Sequence, residues 1–314
     1  MPGQSLPVLE GWQQVNILHI DIGSEMRGGQ HQVLLLMRAL GKRGHKNLLL
    51  ACSGSPLFQA AVAENIPTRV ADLSSIWRFS RRCDIVHVHD AHAHTDAAVA
   101  SRKPFVVSRR VAFPVRRSAI SRWKYARATR YLAVSKFVTS QLITAGVPPE
   151  RIDLVYDAIA PAPLTEWSSG APAVALASRD PLKGRDLIEQ AASFTTVPVH
   201  FSDNLTRDLA RASMFVYITR SEGLGSAALL AMTMGIPVIA SRIGGLAEVF
   251  EDGVSGLYTD NDPKAIASAM TELSRNRDLA AGIIAAAKSR VADNFSIGRL
   301  IDGTLASYEK ALSG

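Results

Sequence analysis

The chain has 314 residues, 47% hydrophobic and 20% charged, with a formal net charge of +7. That length can bury a sizeable core and suits two domains; the composition excludes disordered and fibrous classes, and the charge implies an anionic partner such as nucleotide, nucleic acid or lipid headgroup. Cys52 and Cys83 lie far apart without metal or redox spacing, and they read as buried thiols of a reducing cytosol.

The opening MPGQSLPVLEGWQQ lacks a basic region before an apolar core, so no secretory signal is expected and the chain is placed in the cytoplasm. Val15–Ile20 is an apolar strand. The glycine loop DIGSEMRGG follows it, and then a helix with Val33, Leu36, Met37 and Leu40 at helical spacing. The spacing of Gly23, Gly28 and Gly29 is not the dinucleotide fingerprint, and no phosphate-loop lysine motif is present, so nicotinamide chemistry is poorly supported. Strands at Leu48–Cys52 and Asp84–His89 flank a helix at Leu57–Glu64. His87, His89, Asp90, His92 and His94 invite a metal reading; alternation puts His87 and His89 on one face, while His92 and His94 follow a turn, so four ligands do not obviously converge, and core or pocket histidines without a metal are expected.

A strand at Phe105–Ser108 precedes the strongest charge feature. Residues 101–130 carry ten Lys and Arg and no acid, interleaved with Val111, Phe113, Val115, Ile120, Trp123 and Tyr125. Residues 109–130 read either as a segment resting on an anionic membrane face or as a solvated basic surface. No nucleic-acid motif accompanies the charge. After the strand Tyr131–Ser135, the Pro, Ala, Ser and Gly-rich stretch Ala160–Pro172 marks the boundary between two strand-helix series.

In the second series, Ala173–Ala177 is a strand followed by the loop SRDPLKGRD and a helix. Most informative is Thr219–Val249. Val216, Tyr217 and Ile218 end a strand, Gly223 and Gly225 turn the backbone, and Ala227, Leu230, Ala231 and Met234 give the next helix one apolar face with Ser226 as its expected N-cap. Gly235 stops the helix and Ile236–Ala240 returns as a strand. Although Gly223–Ser241 is uncharged, Gly235 and Pro237 break it, so no membrane span is expected. A helix opening at a glycine turn seats phosphate, and Glu222 beside it suits sugar hydroxyls, so a sugar diphosphate fits.

The run TRSEGLGSAALLAMTMGIPVIAS, continuing through Gly244, Gly245, Glu248 and EDGVSGLYTDNDPKAIASAM, resembles the donor segment of retaining family-4 glycosyltransferases, where PSRSEGFG precedes LEAMAxGxPVVAS. The resemblance covers nearly the whole chain from Val15. It implies an α/β GT-B fold of two Rossmann-like domains facing a cleft: 1–160 on the acceptor side, 161–295 on the donor side, and 296–314 as a terminal helix crossing back. It implies a donor pocket of Gly223, Leu224, Gly225 and Ser226 with Gly28 and Gly29, although a plain turn also explains those last two. Glu222, Lys183 and Arg179 become the catalytic candidates, the latter two by analogy with the family's GRLxxxKG loop, here one residue shorter. HDAH resembles the acceptor loop HDWH of glycogen and starch synthases and implicates Asp90 and His92. Arg109 and Arg110 stand where relatives often carry a pocket histidine.

The activity implied is transfer from a nucleoside-diphosphate sugar with retention and no cofactor; the basic segment, read as resting on a membrane, adds a peripheral place on the inner membrane face and an envelope glycan or lipid-linked acceptor. Two features depart from the pattern. Leu230 replaces a ribose-binding glutamate, and about one βα unit is missing after Thr195, which shortens the second domain. Both favour the alternative of a non-catalytic GT-B module that binds a glycan or membrane partner. A phosphorylase or epimerase lacks support, since neither a cofactor lysine nor paired acids are seen.

Overall fold

The computed structural model describes residues 14–115 and 118–313. The first seven strands are β1 (Asn16–Asp21), β2 (Lys46–Ala51), β3 (Thr68–Val70), β4 (Ile85–Val88), β5 (Phe105–Arg109), β6 (Arg130–Ala133) and β7 (Ile152–Leu154), in the sheet order β3-β2-β1-β4-β5-β6-β7. Between them run α1 (Gly28–Lys42), α2 (Pro56–Ala63), α3 (Leu73–Ser80), α4 (Ala91–Ala100), α5 (Ala119–Arg127) and α6 (Lys136–Thr144). A second sheet takes the order β12-β11-β10-β8-β9 from β8 (Ala173–Leu176), β9 (Val199–Ser202), β10 (Met214–Tyr217), β11 (Val238–Ser241) and β12 (Leu257–Thr259). Its helices are α7 (Arg185–Ala191), α8 (Leu205–Leu209), α9 (Ser226–Met234), α10 (Pro263–Arg275) and α11 (Arg277–Asn294), and α12 (Ile297–Ser313) ends the chain. One compact unit runs through residue 109, takes in 118–132 and resumes at 301; the other holds 110–115 and 133–300.

Fully buried parallel strands need apolar residues on both faces, and Ile17, Leu18, Ile20, Ile85, Val86 and Val88 supply them. Three histidines interrupt this pattern. His19 on β1 and His87 on β4 are register partners, and His89 follows at the end of β4; all three are buried. Their ring nitrogens approach closely enough for a metal ion, and the sequence expectation missed this convergence because His19 comes from a different strand. His19 Nδ1 pairs with His89 Nε2 at 3.0 Å and His19 Nε2 with Asn47 Oδ1 at 3.0 Å. His87 Nδ1 meets the Tyr308 hydroxyl of α12 at 2.6 Å, and its Nε2 meets Ser108 Oγ at 2.8 Å. Such buried rings are satisfied in their neutral form. Burial drives the His19 pKa down from 6.5 to about 4, with Asn47 opposing. His94 is pushed down to about 3, first by burial and then by the charge of Lys124.

In the second unit the order of strands matters most. β8 and β10 are neighbours, and the chain leaves them in opposite directions, which makes their C-terminal ends a topological switch point. The loops that leave these two ends carry Lys183 and Glu222. A further turn crowds in: Gly245 N donates to the Glu222 carbonyl at 3.0 Å, and a Cβ on Gly245 would lie 1.8 Å from the Gly223 carbonyl oxygen. Nothing but glycine fits there.

Two local expectations need correction. The N-cap of α9 is Gly225 and not Ser226: Gly225 takes φ +109°, a left-handed conformation, and the helix starts at Ser226, one residue earlier than expected. Cys83 is buried and its thiol is pushed up to about 12 by burial, but Cys52 is only partly buried, with Sγ donating to the Ile22 carbonyl at 3.1 Å. Arg116 and Arg117 of the basic segment lie outside the described residues. Among the described residues no helix is long and apolar enough to cross a membrane.

A histidine whose folded pKa is depressed contributes stability that is fully present above its unfolded value and lost as pH falls toward the folded one. His19 alone should therefore remove on the order of 3 kcal/mol between pH 6.5 and pH 4. Urea unfolding across that window checks this, and His19→Gln should flatten the slope. Gly245→Ala should destabilise by about 2–4 kcal/mol, because the new methyl meets backbone that cannot move aside. By contrast Gly282→Ala in α11 meets nothing within 4 Å and should stabilise by about 0.5–1 kcal/mol. Thermal melts of the pair measure both.

Candidate functional site

The loop after β8 is fastened to the loop after β10 through backbone. The Leu182 carbonyl accepts from Thr219 Oγ1 at 2.9 Å and from Arg220 N at 2.7 Å. Gly184, at φ +58°, lies so close to β10 that a Cβ would stand 2.8 Å from the Ile218 carbonyl oxygen. With the two loops pinned, Lys183 Nζ reaches Glu222 Oε2 at 2.8 Å. Their side chains retain 27% and 17% of their exposure, so the pair is partly desolvated yet open to a ligand.

Glu222 is further constrained. Its Oε2 also accepts from the Tyr217 hydroxyl, and its Oε1 accepts from Gly223 N at 3.1 Å. Tyr217 is 5% exposed, and burial, reinforced by the Glu222 charge, raises its pKa so that it stays a donor. The Lys183 ammonium stands 5.8 Å from the centre of the Tyr217 ring. Tyr217 was not singled out from the sequence as a site residue. Its one signal was a polar-tipped aromatic at the end of an otherwise apolar strand.

Behind this pair the turn Gly223–Gly225 opens α9, whose glycine cap offers no side chain to its first N–H groups. Ser135 Oγ donates to the Gly223 carbonyl at 2.7 Å, and a Cβ at Gly223 would lie 2.1 Å from the Arg110 carbonyl oxygen. The turn is thus packed on its far side, with Leu224 buried at 3% exposure. Ser226 is the first residue of α9 and is partly exposed. Leu230, on the same helix, is only partly buried and can accept no hydrogen bond. Glu248 caps α6, accepting from Lys136 N at 2.9 Å, Phe137 N at 2.8 Å and the Tyr156 hydroxyl at 3.0 Å.

The remaining candidates are dispersed. Arg179 is exposed and has no hydrogen-bond partner among the described residues, while Arg185 donates to the Ala177 carbonyl at 3.0 Å and to Glu189 at 2.7 Å. Arg110 forms a nearly buried ion pair with Asp157 at 2.9 Å, where burial raises the Asp157 pKa and Arg110 opposes it. In the first unit β1 and β4 form a switch point of their own. Gly28 and Gly29 begin α1 there. Asp90 caps α4 by accepting from His92 N at 2.8 Å and Ala93 N at 2.9 Å, and it ties down the loop after β1 through Ile22 N at 2.7 Å. His92 is exposed beside it. Arg109 Nη1 donates to the Tyr125 hydroxyl at 3.0 Å.

The chain is similar to known proteins over most of its length. Residues 26–162 match the model of Glycosyltransferase Family 4, and residues 142–276 match that of Glycosyl transferases group 1. A D-inositol 3-phosphate glycosyltransferase of Mycolicibacterium paratuberculosis is 33% identical over 147 residues, which is 46% of this chain and 33% of that protein. An uncharacterised glycosyltransferase of Methanocaldococcus jannaschii is 34% identical over 99 residues, 31% of this chain and 24% of the relative. The chain thus aligns with about a quarter to a third of the length of such curated relatives. Among solved structures, the Anabaena protein HepE in complex with UDP and glucose superposes with a TM-score of 0.83 at 15% identity, covering 94% of this chain and all of that one. A sucrose-phosphate synthase from Thermosynechococcus elongatus gives 0.74 at 16% identity, over 96% of this chain and 100% of the other. Both sheets thus have the GT-B fold, and from residue 26 to residue 276 the chain is similar in turn to family-4 and to group 1 glycosyltransferases.

Proposed function

We propose that the protein transfers a sugar from a nucleoside diphosphate donor to an envelope glycan or lipid-linked acceptor, with retention of configuration. On this reading the donor sits on residues 161–295 and the acceptor on residues 1–160. The observation that carries it is the Lys183–Glu222 pair, 2.8 Å apart beside the open start of α9 at a switch point. Lys183 and the first N–H groups of α9 would neutralise the leaving diphosphate, with exposed Arg179 free to swing in. Glu222 would orient sugar hydroxyls. When phosphate draws Lys183 away, Tyr217 and Gly223 N still hold the carboxylate. The leaving phosphate takes the acceptor's proton on the face from which it departs, so no protein nucleophile is needed. UDP and glucose in the HepE complex are consistent with such a donor.

Isothermal titration with a panel of nucleoside diphosphates tests the reading, together with steady-state turnover. Lys183→Ala should lower kcat on the order of a hundredfold. Tyr217→Phe, which removes one hydrogen bond, should lower it roughly five- to tenfold. Binding of none of the diphosphates would turn the assignment to a non-catalytic GT-B module.

Exposure along α5 favours attachment to a membrane as part of the same reading. That helix buries none of its residues, and Ile120 and Trp123, one turn apart, are 73% and 47% exposed. Few of its cations are free to join in: Lys124 Nζ donates to the Ala91 carbonyl at 2.6 Å and to Thr95 at 2.9 Å, and Arg127 Nε donates to the Ala98 carbonyl at 3.3 Å. Insertion of the two apolar side chains, assisted by exposed Arg122, would then carry the attachment to the inner face of the cell membrane. Sedimentation with anionic vesicles should show a severalfold lower bound fraction for Ile120→Ser with Trp123→Ser. Equal partitioning would leave α5 as a solvated face and point to a soluble acceptor.

A further inference from the structure

The positive charge of the first unit gathers at the N-terminal ends of its strands, the sheet edge opposite to Asp90 and His92. There a cleft of about 470 Å³ is lined by Trp77 and Arg81 from the end of α3, and by Arg102 and Lys103 from the turn between α4 and β5. Trp77 is 43% exposed, and the Arg81 guanidinium stands 4.8 Å from the centre of its indole. A smaller hollow of about 160 Å³ at the same strand ends is lined in part by Lys46 and Arg82. None of Arg78, Arg81, Arg82, Arg102 and Lys103 takes part in an ion pair among the described residues, and no acid lines the cleft. The adjacent Asp84 accepts from Asn16 N at 2.7 Å and Asn16 Nδ2 at 2.9 Å.

The C-terminus of a helix favours cations, so the end of α3 accounts for Arg78 and Arg81 by itself. It does not account for Arg102 and Lys103, which arrive on another segment and are held beside like charges. Their turn is fixed from below: Arg102 N donates to Ser80 Oγ at 3.1 Å, and Ser101 Oγ donates to the Lys103 carbonyl at 2.9 Å. Such convergence is unfavourable until an anion is present. Guanidinium forks bind phosphate oxygens in pairs, and three cations without an acid exceed what a single carboxylate neutralises. The volume lies within the range of small-molecule sites.

We propose that this cleft binds a phosphate-bearing ligand, Arg81, Arg102 and Lys103 taking the anion and the Trp77 indole covering its apolar part. The site is separate from the Lys183–Glu222 pair, and its occupancy does not depend on the donor assignment.

Inorganic tripolyphosphate is the probe, followed through the indole N–H resonance of Trp77, which is identified by its disappearance in Trp77→Phe. Titration should move that resonance, and the combined variant Arg81→Gln, Arg102→Gln, Lys103→Gln should weaken the response at least tenfold. A control with three exposed cations neutralised elsewhere, Arg211→Gln, Arg275→Gln and Arg277→Gln, should respond like the wild type. A resonance that stays still, or one lost equally in both triple variants, would overturn the proposal in favour of non-specific charge. Nucleoside diphosphate binding measured on the same proteins reports the donor site, so failure at one site is not confused with failure at the other. Sedimentation with phosphatidylglycerol vesicles then separates two sources of the phosphate. Loss of binding in the cleft variant assigns a lipid headgroup, and unchanged sedimentation assigns a soluble phosphate compound.

Discussion

A lysine and a glutamate 2.8 Å apart, each mostly removed from water, are costly unless their other hydrogen-bonding positions are filled. In the second unit they are filled on the carboxylate side, by Tyr217 on one oxygen and by Gly223 N on the other. Lys183 is left as the one member of the pair able to leave. Much of the surrounding backbone geometry serves this asymmetry. Gly184 lets the lysine loop lie on β10, Gly223 and Gly245 allow carbonyls to approach where a Cβ would collide, and Thr219 binds one loop to the other. The result is a rigid acid beside a displaceable cation, which is what an anion that also carries hydroxyls requires.

Around it the C-terminal edge of the second sheet is closed by a polar network. Thr219 N donates to Ser241 Oγ at 2.9 Å, Ser241 Oγ donates to Asn261 Oδ1 at 2.5 Å, and Asn261 Nδ2 returns to the Thr219 carbonyl at 3.0 Å. Three successive strand ends are joined by two short side chains. Fully satisfied buried polar groups hold a loop more tightly than apolar contacts do, because any slip leaves a donor unpaired. The loop after β10 therefore has its position set on three sides before any ligand arrives.

Much of this was legible in the sequence. The glycines of 223–225 and 244–245, the strand before them and Lys183 before Gly184 mark the loops, and strand order then brings them together. What could not be read is what depends on contacts that only the folded chain makes. His19 joins His87 and His89 only because β1 and β4 are neighbours, and Tyr217 and Glu222 meet only because the turn folds back on the strand. The basic stretch at 101–130 shows the same limit. On paper its ten charges form one feature. In the fold Arg110 is spent on Asp157, Lys124 and Arg127 on the backbone of α4, and Arg102 and Lys103 turn to the opposite edge of the sheet to join the end of α3.

This redistribution changes how the net charge of +7 is to be understood. A uniform basic face would attract any polyanion through a screened, non-specific field. Here part of the charge is neutralised by internal partners, and part is concentrated where a guanidinium lies over an exposed indole. Concentration of that kind raises the local potential without adding charge, and it confines the attraction to a cleft with a defined apolar wall. Selectivity then comes from the shape of the ligand as well as its sign, so an anion without an apolar part gains from the cations alone and forgoes the contact with Trp77.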